Sequence, residues 1–521
     1  MADVVPLHPT DNICIATCDL AAGKLVRIGD GDARLSCDVP LGHKIASSTI
    51  SAGSPVHKFG QLIGFATADI APGDWVHLHN LANVDPDLEY EKSTAIPPPP
   101  EAITGRTFDG FRRIDGRAGT RNYIGIISTV NCSASVSKYI ARRFDEAQLK
   151  NYPNIDGVVA FTHETGCGMQ FGGLKHQMLN RVLGGVARHP NIAAFLLIGL
   201  GCEQGAMGHL LREQQLVPLD GSWEPGGGVA GNGQAAPPFV MSIQDHGGTA
   251  NTIEAGVRQL AQMLPRANDV KRVPIPAGEI ILGTECGGSD GKSGVTANPA
   301  VGIASDMLIA CGGTSILSET SEVYGAEHLL TRRARTPEVA DKLLERIAWW
   351  KWYADIFDAE LDNNPSVGNK AGGLTTIAEK SLGAVAKAGS TALNEVYEYA
   401  EPVTAKGLVL MDTPGFDPAS VTGMVAGGAN VIAFTTGRGS CFGCKPVPSI
   451  KIATNTPMFN RMQGDMDINA GRIISDGASV EEVGQEIFNK ILAVASGEKT
   501  KSELLGIGDE EWSPWTVGPV L

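Results

Sequence analysis

Through most of the chain, short uninterrupted apolar runs alternate with stretches whose apolar residues recur at helical spacing. YIGIISTVNC (123–132) precedes SASVSKYIARRF, GVVAFTHETGC (157–167) precedes QMLNRVLGGVARH, and NIAAFLLIGLGC (191–202) precedes GAMGHLLREQQ. A brief run that is apolar throughout reads as a strand buried on both faces, and the periodic stretch after it as a helix packed on that strand. Repetition of this unit predicts a layered α/β fold with mostly parallel strands. The alternation resumes after a helix at Thr249–Leu264, with EIILGTECGGSDG (279–291), a helix from Ala300, and GGTSILSET (312–320). A long helical segment at Thr336–Leu361, the strands LVLMDTP and NVIAFTTG, and a closing helix at Val480–Ala495 complete it. Trp223 to Pro238 (WEPGGGVAGNGQAAPP) is loop-like in composition.

Residues 11–85 follow another rhythm. ICIATCDL, KLVRIGD, ARLSCDVP, LIGFATADI and DWVHLHNL alternate apolar and polar positions between Gly-Asp, Pro-Leu-Gly and Ala-Gly turns, predicting a small all-β unit. Pro97–Pro100 sit inside Ser93–Gly105, an extended and semi-rigid linker by composition. The expected organisation is an all-β domain over 1–92, the linker over 93–105, an α/β domain over 106–269 and a C-terminal α/β catalytic domain over 270–521.

At 521 residues, several cores are required. The formal charge of −15 argues against nucleic acid and anionic membranes as partners, since both demand a basic face. The opening MADVVPLHPTDN has neither the basic nor the apolar stretch of an export signal, and ten cysteines are too sparse for a disulfide scaffold. The expected compartment is therefore the cytoplasm.

Four cysteines recur in one setting. Cys132, Cys167, Cys202 and Cys286 each follow an apolar run and enter a turn of small residues. In parallel sheets such turns gather beyond the carboxyl ends of the strands, where ligands bind. Converging there, the thiolates would form a soft metal site; dispersed, they would be small packing residues. Cys14, Cys18, Cys37 and Cys311 read as packing residues on strands, and the Cys441–Cys444 pair as a turn. His43 stands at a turn beside Lys44, with Lys58 further on, and His163 precedes Cys167 at a strand end, placed to act as a base. His77 and His79 read as two residues on one face of a strand. The run Gly287–Pro299 concentrates Ser289, Asp290, Lys292 and Asn298 among glycines, a composition suited to a polyhydroxylated or carboxylate ligand. Two more glycine-rich turns carry cations, Lys370 and Arg438, and Glu319 and Glu322 are candidate acid–base groups or oxygen ligands.

Taken in order, these motifs resemble the altronate dehydratase/galactarate dehydratase family of sugar-acid hydro-lyases, along nearly the whole chain. LGHKIA, KFGQLIGFA and DWVHLHN resemble its small SAF-type (β-clip) domain; IDGRAGTRN, HETGCG, IGLGCE, ECGGSDGKSGVTANPAVG, NPSVGNKAGG, TTGRG and MDINAG resemble its large catalytic region. His-x-His-Asn at 77–80 is closer to the altronate branch, whereas CFGC at 441–444 departs from the familiar turn. The resemblance implies loss of water from a D-altronate-like aldonate to give a 2-keto-3-deoxy acid. Alternatives are galactarate dehydration, sulfolactate sulfo-lyase-like chemistry, or a non-catalytic sugar-acid binding protein. It further implies iron, as Fe²⁺ or an iron–sulfur cluster with Mn²⁺ as a substitute, held by Cys132, Cys167, Cys202 and Cys286. His43, His163, Lys44 and Glu319 are the implied catalytic groups, with Lys58, Ser289, Asp290, Asn298, Lys370 and Arg438 on the substrate. An N-terminal domain capping the active site and a homodimer are the remaining expectations.

Overall fold

The structure, a computed structural model, describes residues 2–28, 31–83, 90–216 and 239–518. The segment Trp223–Pro238 lies outside the described residues. The N-terminal region is all β. Val4–Val5, Ile13–Ala16, Lys44–Ala46 and Trp75–Val76 form one antiparallel sheet in that order, and Pro55–Lys58, Gln61–Ala66 and Leu81–Ala82 form a second. Its apolar side is shared rather than closed on itself. Ile13, Ile63 and Val76 belong to the same buried cluster as Leu317, Ile377 and Leu382 from the C-terminal region. Each such side chain contributes about 1.5–3 kcal/mol on burial, so this small unit is held against the large one by a common core.

In the middle region, four parallel strands, β1 (Tyr123–Ser128), β2 (Gly157–Phe161), β3 (Ile192–Gly199) and β4 (Val240–Ser242), pair in the order β2-β1-β3-β4. Helix α1 (Ala134–Ala141) packs with α4 (Thr249–Asn268), and α2 (Leu174–Ala187) with α3 (Met207–Gln214). Every residue of β3 is buried, which explains its uninterrupted apolar run. An antiparallel ribbon, Thr107–Arg112 with Ala118–Gly119 and Arg272–Pro276, ties the entry of this region to its exit.

The C-terminal region is built on seven parallel strands. These are β5 (Ile281–Cys286), β6 (Thr314–Leu317), β7 (Leu393–Tyr397), β8 (Gly407–Met411), β9 (Val431–Thr436), β10 (Ser449–Ala453) and β11 (Ile468–Asn469). Their spatial order is β7-β8-β6-β5-β9-β10-β11. The chain leaves β5 toward β6 and β8, then returns to lay β9 on β5's other side. The carboxyl ends of β5 and β9 therefore mark a topological switch point, where connections diverge and a crevice opens. The associated helices are α5 (Ala297–Ala310), α6 (Pro337–Asp355), α7 (Ile377–Val385), α8 (Asp417–Ala426) and α9 (Val480–Ala495). Helices α2 and α8 join the two large regions: a Cβ at Gly185 would lie 2.3 Å from the Ala426 carbonyl oxygen, so only glycine permits that approach.

Some expectations are corrected. His77 and His79 lie in a turn after a two-residue strand, with His77 buried and His79 exposed, so they do not share a strand face. Cys14 is on a strand, but Cys18 and Cys37 lie in connections and Cys311 caps the end of α5. No helix among the described residues is long and apolar enough to cross a membrane.

Candidate active site

At the switch point, the loops after β5, β6 and β8 enclose a cavity of about 350 Å³ whose lining includes Cys286, Gly288, Glu322, Asn364, Lys380 and Asp417. Cys286 is the last residue of β5, Glu319 lies just beyond β6, and Asp417 opens α8. Lys380 lies on α7 and Lys387 in the turn that extends it.

Buried charge dominates the geometry. Lys387 Nζ lies 2.7 Å from Glu319 Oε2 and 2.9 Å from Cys286 Sγ, and the thiol lies 3.3 Å from the same carboxylate oxygen. Lys380 Nζ pairs with Glu322 Oε1 at 2.5 Å and donates to Asn364 Oδ1 at 2.8 Å, while Asn364 Nδ2 donates to Glu322 at 2.7 Å. Glu285, inside β5, accepts from the hydroxyls of Ser318 and Ser420. Glu319 holds a left-handed backbone (φ +63°), unusual for a residue with a side chain, and its N–H donates to Thr413 Oγ1 at 2.7 Å. Strain of this kind persists only where the surroundings over-determine it, and it concentrates at functional sites.

The titration behaviour follows from that packing. Burial, then the neighbouring Glu319 and Glu322, push the Asp417 carboxyl up to about 7. Burial with Glu319 and Asp417 close by raises Glu285 well above the carboxylate range, and burial with Glu319 nearby raises Glu322. Burial also works against ionised Glu319, yet the ammonium groups of Lys387 and Lys380 outweigh it and hold this carboxyl low. Cys286 is raised by burial and by Glu319.

The donors suit a divalent cation. Sγ of Cys286 and one oxygen each from Glu319 and Glu322 lie within 4.8 Å of one another, as do oxygens from Glu285, Glu319 and Asp417. Oε1 of Glu319 and Oε1 of Glu285 are buried without a hydrogen-bond partner. Four carboxyl groups here face two ammonium groups, so the full set of carboxylates exceeds its counter-charge by two. One thiol among carboxylates is a mixed soft and hard set, fitted to a first-row transition ion.

The expected site residues separate into distinct settings. Lys44 and Lys58 share a carboxylate partner. Lys44 Nζ donates to Glu379 Oε2 and Lys58 Nζ to Glu379 Oε1, both at 2.8 Å, with all three side chains buried. Together they pin the N-terminal region to α7, one residue before Lys380. Both lysines were expected to serve substrate or catalysis; their ammonium groups are committed to this carboxylate instead. Burial, with Lys58's charge nearby, lowers Lys44 to about 8 even against Glu379. His43 is outside the cavity lining. Its Nδ1 accepts from Trp75 Nε1 at 3.2 Å and its ring stacks on His77, whose Nε2 lies 3.0 Å from the Lys370 carbonyl oxygen. Burial brings His43 down to about 4, so it is neutral near neutrality.

His163 belongs to the other sheet, where its Nε2 lies 2.9 Å from the Ser128 carbonyl oxygen; burial lowers it to about 4. Asp290 accepts from Ser293, Thr454 and Asn455 and pairs with Lys292, and Asn298 bridges the Gly383 carbonyl and Thr435. These two side chains knit loops together. Ser289 Oγ is buried and unpartnered on a second cavity of about 10 Å³, room for one water, between Cys286 and Lys58. Lys370 is half-buried. Arg438 is exposed; its backbone N–H donates to the carbonyl of Gly288, a cavity-lining residue, and its side chain runs past Gly372.

The four cysteines do not converge as one ligand set. Cys286 is buried at the seven-stranded sheet, whereas Cys132, Cys167 and Cys202 are exposed beyond β1, β2 and β3. The reason is topological: two separate parallel sheets each gather their own strand ends. Sequence reasoning missed Glu285, Lys380, Lys387, Asp417 and the pin residue Glu379. The available signal was three charges, Glu379, Lys380 and Lys387, in the otherwise apolar and small segment IAEKSLGAVAKA (377–388).

Three family models match the chain in succession. They are the altronate/galactarate dehydratase SAF domain over residues 2–84, the second domain of D-galactarate dehydratase/altronate hydrolase over 110–268, and the D-galactarate/altronate dehydratase C-terminal domain over 277–520. The galactarate dehydratase (L-threo-forming) of Escherichia coli is 37% identical over 97% of this chain and 95% of its own length. The altronate dehydratases of E. coli and Bacillus subtilis are 36% and 34% identical, each over 96% of this chain and over 96% and 97% of their own lengths.

Proposed function

This chain belongs to the D-galactarate/altronate dehydratase family, and from that premise we propose that the cavity beyond β5, β6 and β8 removes water from a sugar acid. The protein is a sugar-acid dehydratase, a carbon–oxygen hydro-lyase. Its substrate, on our reading, is an aldonate of the D-altronate type. Among the described residues lining the cavity, Lys380 is the cation and is already paired with Glu322, so we assign the single carboxylate to Arg438, which sits beside the lining residue Gly288. The galactarate-dehydrating relative makes a dicarboxylate the competing substrate.

The chemistry to be catalysed is difficult at two atoms. The C2 hydrogen beside a carboxylate is very weakly acidic, and the C3 hydroxyl is a poor leaving group, so negative charge developing on the substrate must be stabilised. Asp417 is the base we assign. Its carboxyl titrates near 7, where a general base combines a useful ionised fraction with real driving force. Lys380, paired with Glu322, keeps fixed positive charge on the cavity wall as C2 loses its proton. The protonated Asp417 can then return a proton to the departing oxygen, so water leaves without net proton change. Cys286, Glu319 and Glu322 would hold a divalent ion, which we take to be Fe²⁺ with Mn²⁺ as a substitute; such an ion supplies Lewis acidity toward the substrate oxygens. Lys387 orders Glu319 and Cys286 from beneath.

The observation that carries this reading is the coexistence, on and just behind one cavity wall, of a carboxyl raised to about 7, a fixed cation and a donor set for a divalent ion. A panel of aldonates and aldarates, assayed anaerobically with Fe²⁺ for keto-acid formation, tests it. Turnover of D-altronate above galactarate is expected; keto acid from no member of the panel would refute the assignment. All ten cysteines are unpaired thiols, which supports a reducing, cytoplasmic setting. A homodimer remains part of the proposal, tested by light scattering.

A further inference from the structure

We propose that a third cavity, on the far face of α7, binds a small amphipathic carboxylate: an anionic head on Arg332 and Arg333, and a hydrocarbon body on the apolar wall. The cavity has a volume of about 620 Å³. Three parts of the chain wall it: Phe59 and Gln61 from the N-terminal region, Ala95 and Pro97 from the linker, and α7 with neighbouring turns from the C-terminal region. Hollows of this size where domains meet are common places for small ligands. Helix α7 contributes to this cavity and to the one beyond β5, β6 and β8, from different faces. Lys380 lines the latter, whereas Leu382 and Val385, about 200° and 140° further round the helix, line the former.

The charge on this wall is of one sign. Arg332 and Arg333 line the cavity, and among the described residues no aspartate or glutamate does. In a chain whose formal charge is −15, two adjacent cations without a lining acid make a local field that attracts anions. Arg332 is exposed, and among the described residues its guanidinium has no hydrogen bond or ion pair. Arg333 is engaged on one side only. Its Nη1 donates to the Gly389 carbonyl at 2.6 Å, while its Nε is buried with no acceptor. Asp306 is close enough to act on Arg333, but its oxygens accept from the N–H and hydroxyl of Ser390. An interior N–H left unmet costs free energy, and a carboxylate matches the two-pronged edge of a guanidinium. The opposite part of the ligand meets Phe59, Leu329, Leu382 and Val385. Phe59 is held there against its backbone preference: its φ is +58°, and the Asp11 carboxylate accepts from its N–H at 3.0 Å and from the Gly60 N–H at 2.7 Å. Strain of this sort gathers at ligand clamps. A sugar acid, hydroxylated along its length, does not match such a wall, so this site is independent of the dehydratase reading.

The test is titration calorimetry of the full chain with octanoate, beside octanamide as its uncharged counterpart and acetate as a carboxylate with no apolar body. Octanoate should bind at least about tenfold more tightly than either. Arg332→Ala removes an exposed cation and should weaken octanoate about tenfold without disturbing the fold. Arg333→Lys keeps the charge but loses the fork, and should weaken it about as much. Ala95→Trp, which adds bulk at an exposed point of the wall, should abolish binding. A readout free of variants is the thermal midpoint of the wild type, which octanoate should raise and octanamide should not, because a ligand of the folded state stabilises it. Equal affinity for octanoate and octanamide, no binding of octanoate at millimolar concentration, or wild-type affinity in a folded Arg332→Ala protein would overturn the proposal.

Discussion

At the carboxyl edge of the seven-stranded sheet, Cys286 is buried between Glu319 and Lys387; at the same edge of the four-stranded sheet, Cys132, Cys167 and Cys202 face solvent. Both edges grow from the same sequence pattern, an apolar strand running into glycine and cysteine. What separates them is the covering. Helix α7, held by the Lys44–Glu379–Lys58 pin, closes over the first edge. Enclosure turns ordinary carboxyl groups into a coupled set: Asp417 rises to about 7, while Glu319 is held low by its lysines. The same strand-end idiom thus yields an enclosed set of carboxyl groups where a helix covers it and exposed thiols where none does.

The sharpest way to break this contrast is to remove a buried charge. Glu319→Gln should lower kcat/KM by about 10³–10⁴-fold and weaken divalent-ion binding, read by anaerobic calorimetry. Near-normal turnover would remove the pocket from the chemistry. Asp417→Asn should cost about 10²-fold and abolish the acid limb of the rate profile near pH 7, because the wild type gains its ionised base as pH rises through about 7. An unchanged limb would assign the base elsewhere.

The pin comes next. Glu379→Gln strands two buried ammonium groups and should destabilise the fold by about 3–5 kcal/mol, measured in urea. A loss within the error of the experiment would mean that the common core alone holds the N-terminal region. Smaller effects sharpen the comparison from the other side. His43 and His163 are lowered to about 4 by burial, so they are neutral in the fold but bind protons when unfolded below about 6.5. Stability should therefore fall as pH drops from about 6.5 toward 4, the direction in which the unfolded chain gains protons. Cys167→Ser in the metal-free protein should change stability by no more than about 0.5 kcal/mol, since that thiol is exposed.

The layered architecture was legible because its evidence is periodic. β3 is apolar from end to end since both faces are covered, and α9 occupies the range predicted for it. The strand-end cysteines were legible for the same reason. What sequence did not reveal was which strand ends share a sheet. That depends on the order in which strands pair, and the return from β8 to β9 leaves no local mark in the sequence. The pairing of Lys44 and Lys58 with Glu379 was not legible because a lysine beside a glycine turn looks the same whether its partner is a ligand or a carboxylate more than 300 residues later. Lys380 and Lys387 were overlooked although charges on so apolar a helix must find buried partners.

The most direct test of the central claim is diffraction from crystals grown anaerobically with Fe²⁺ and the sugar acid, collected across the iron absorption edge. The account predicts an anomalous peak among Cys286, Glu319 and Glu322, with the acid in the adjoining cavity and its C2 facing Asp417. A sugar acid bound away from that cavity, with no metal at those three side chains, would contradict it.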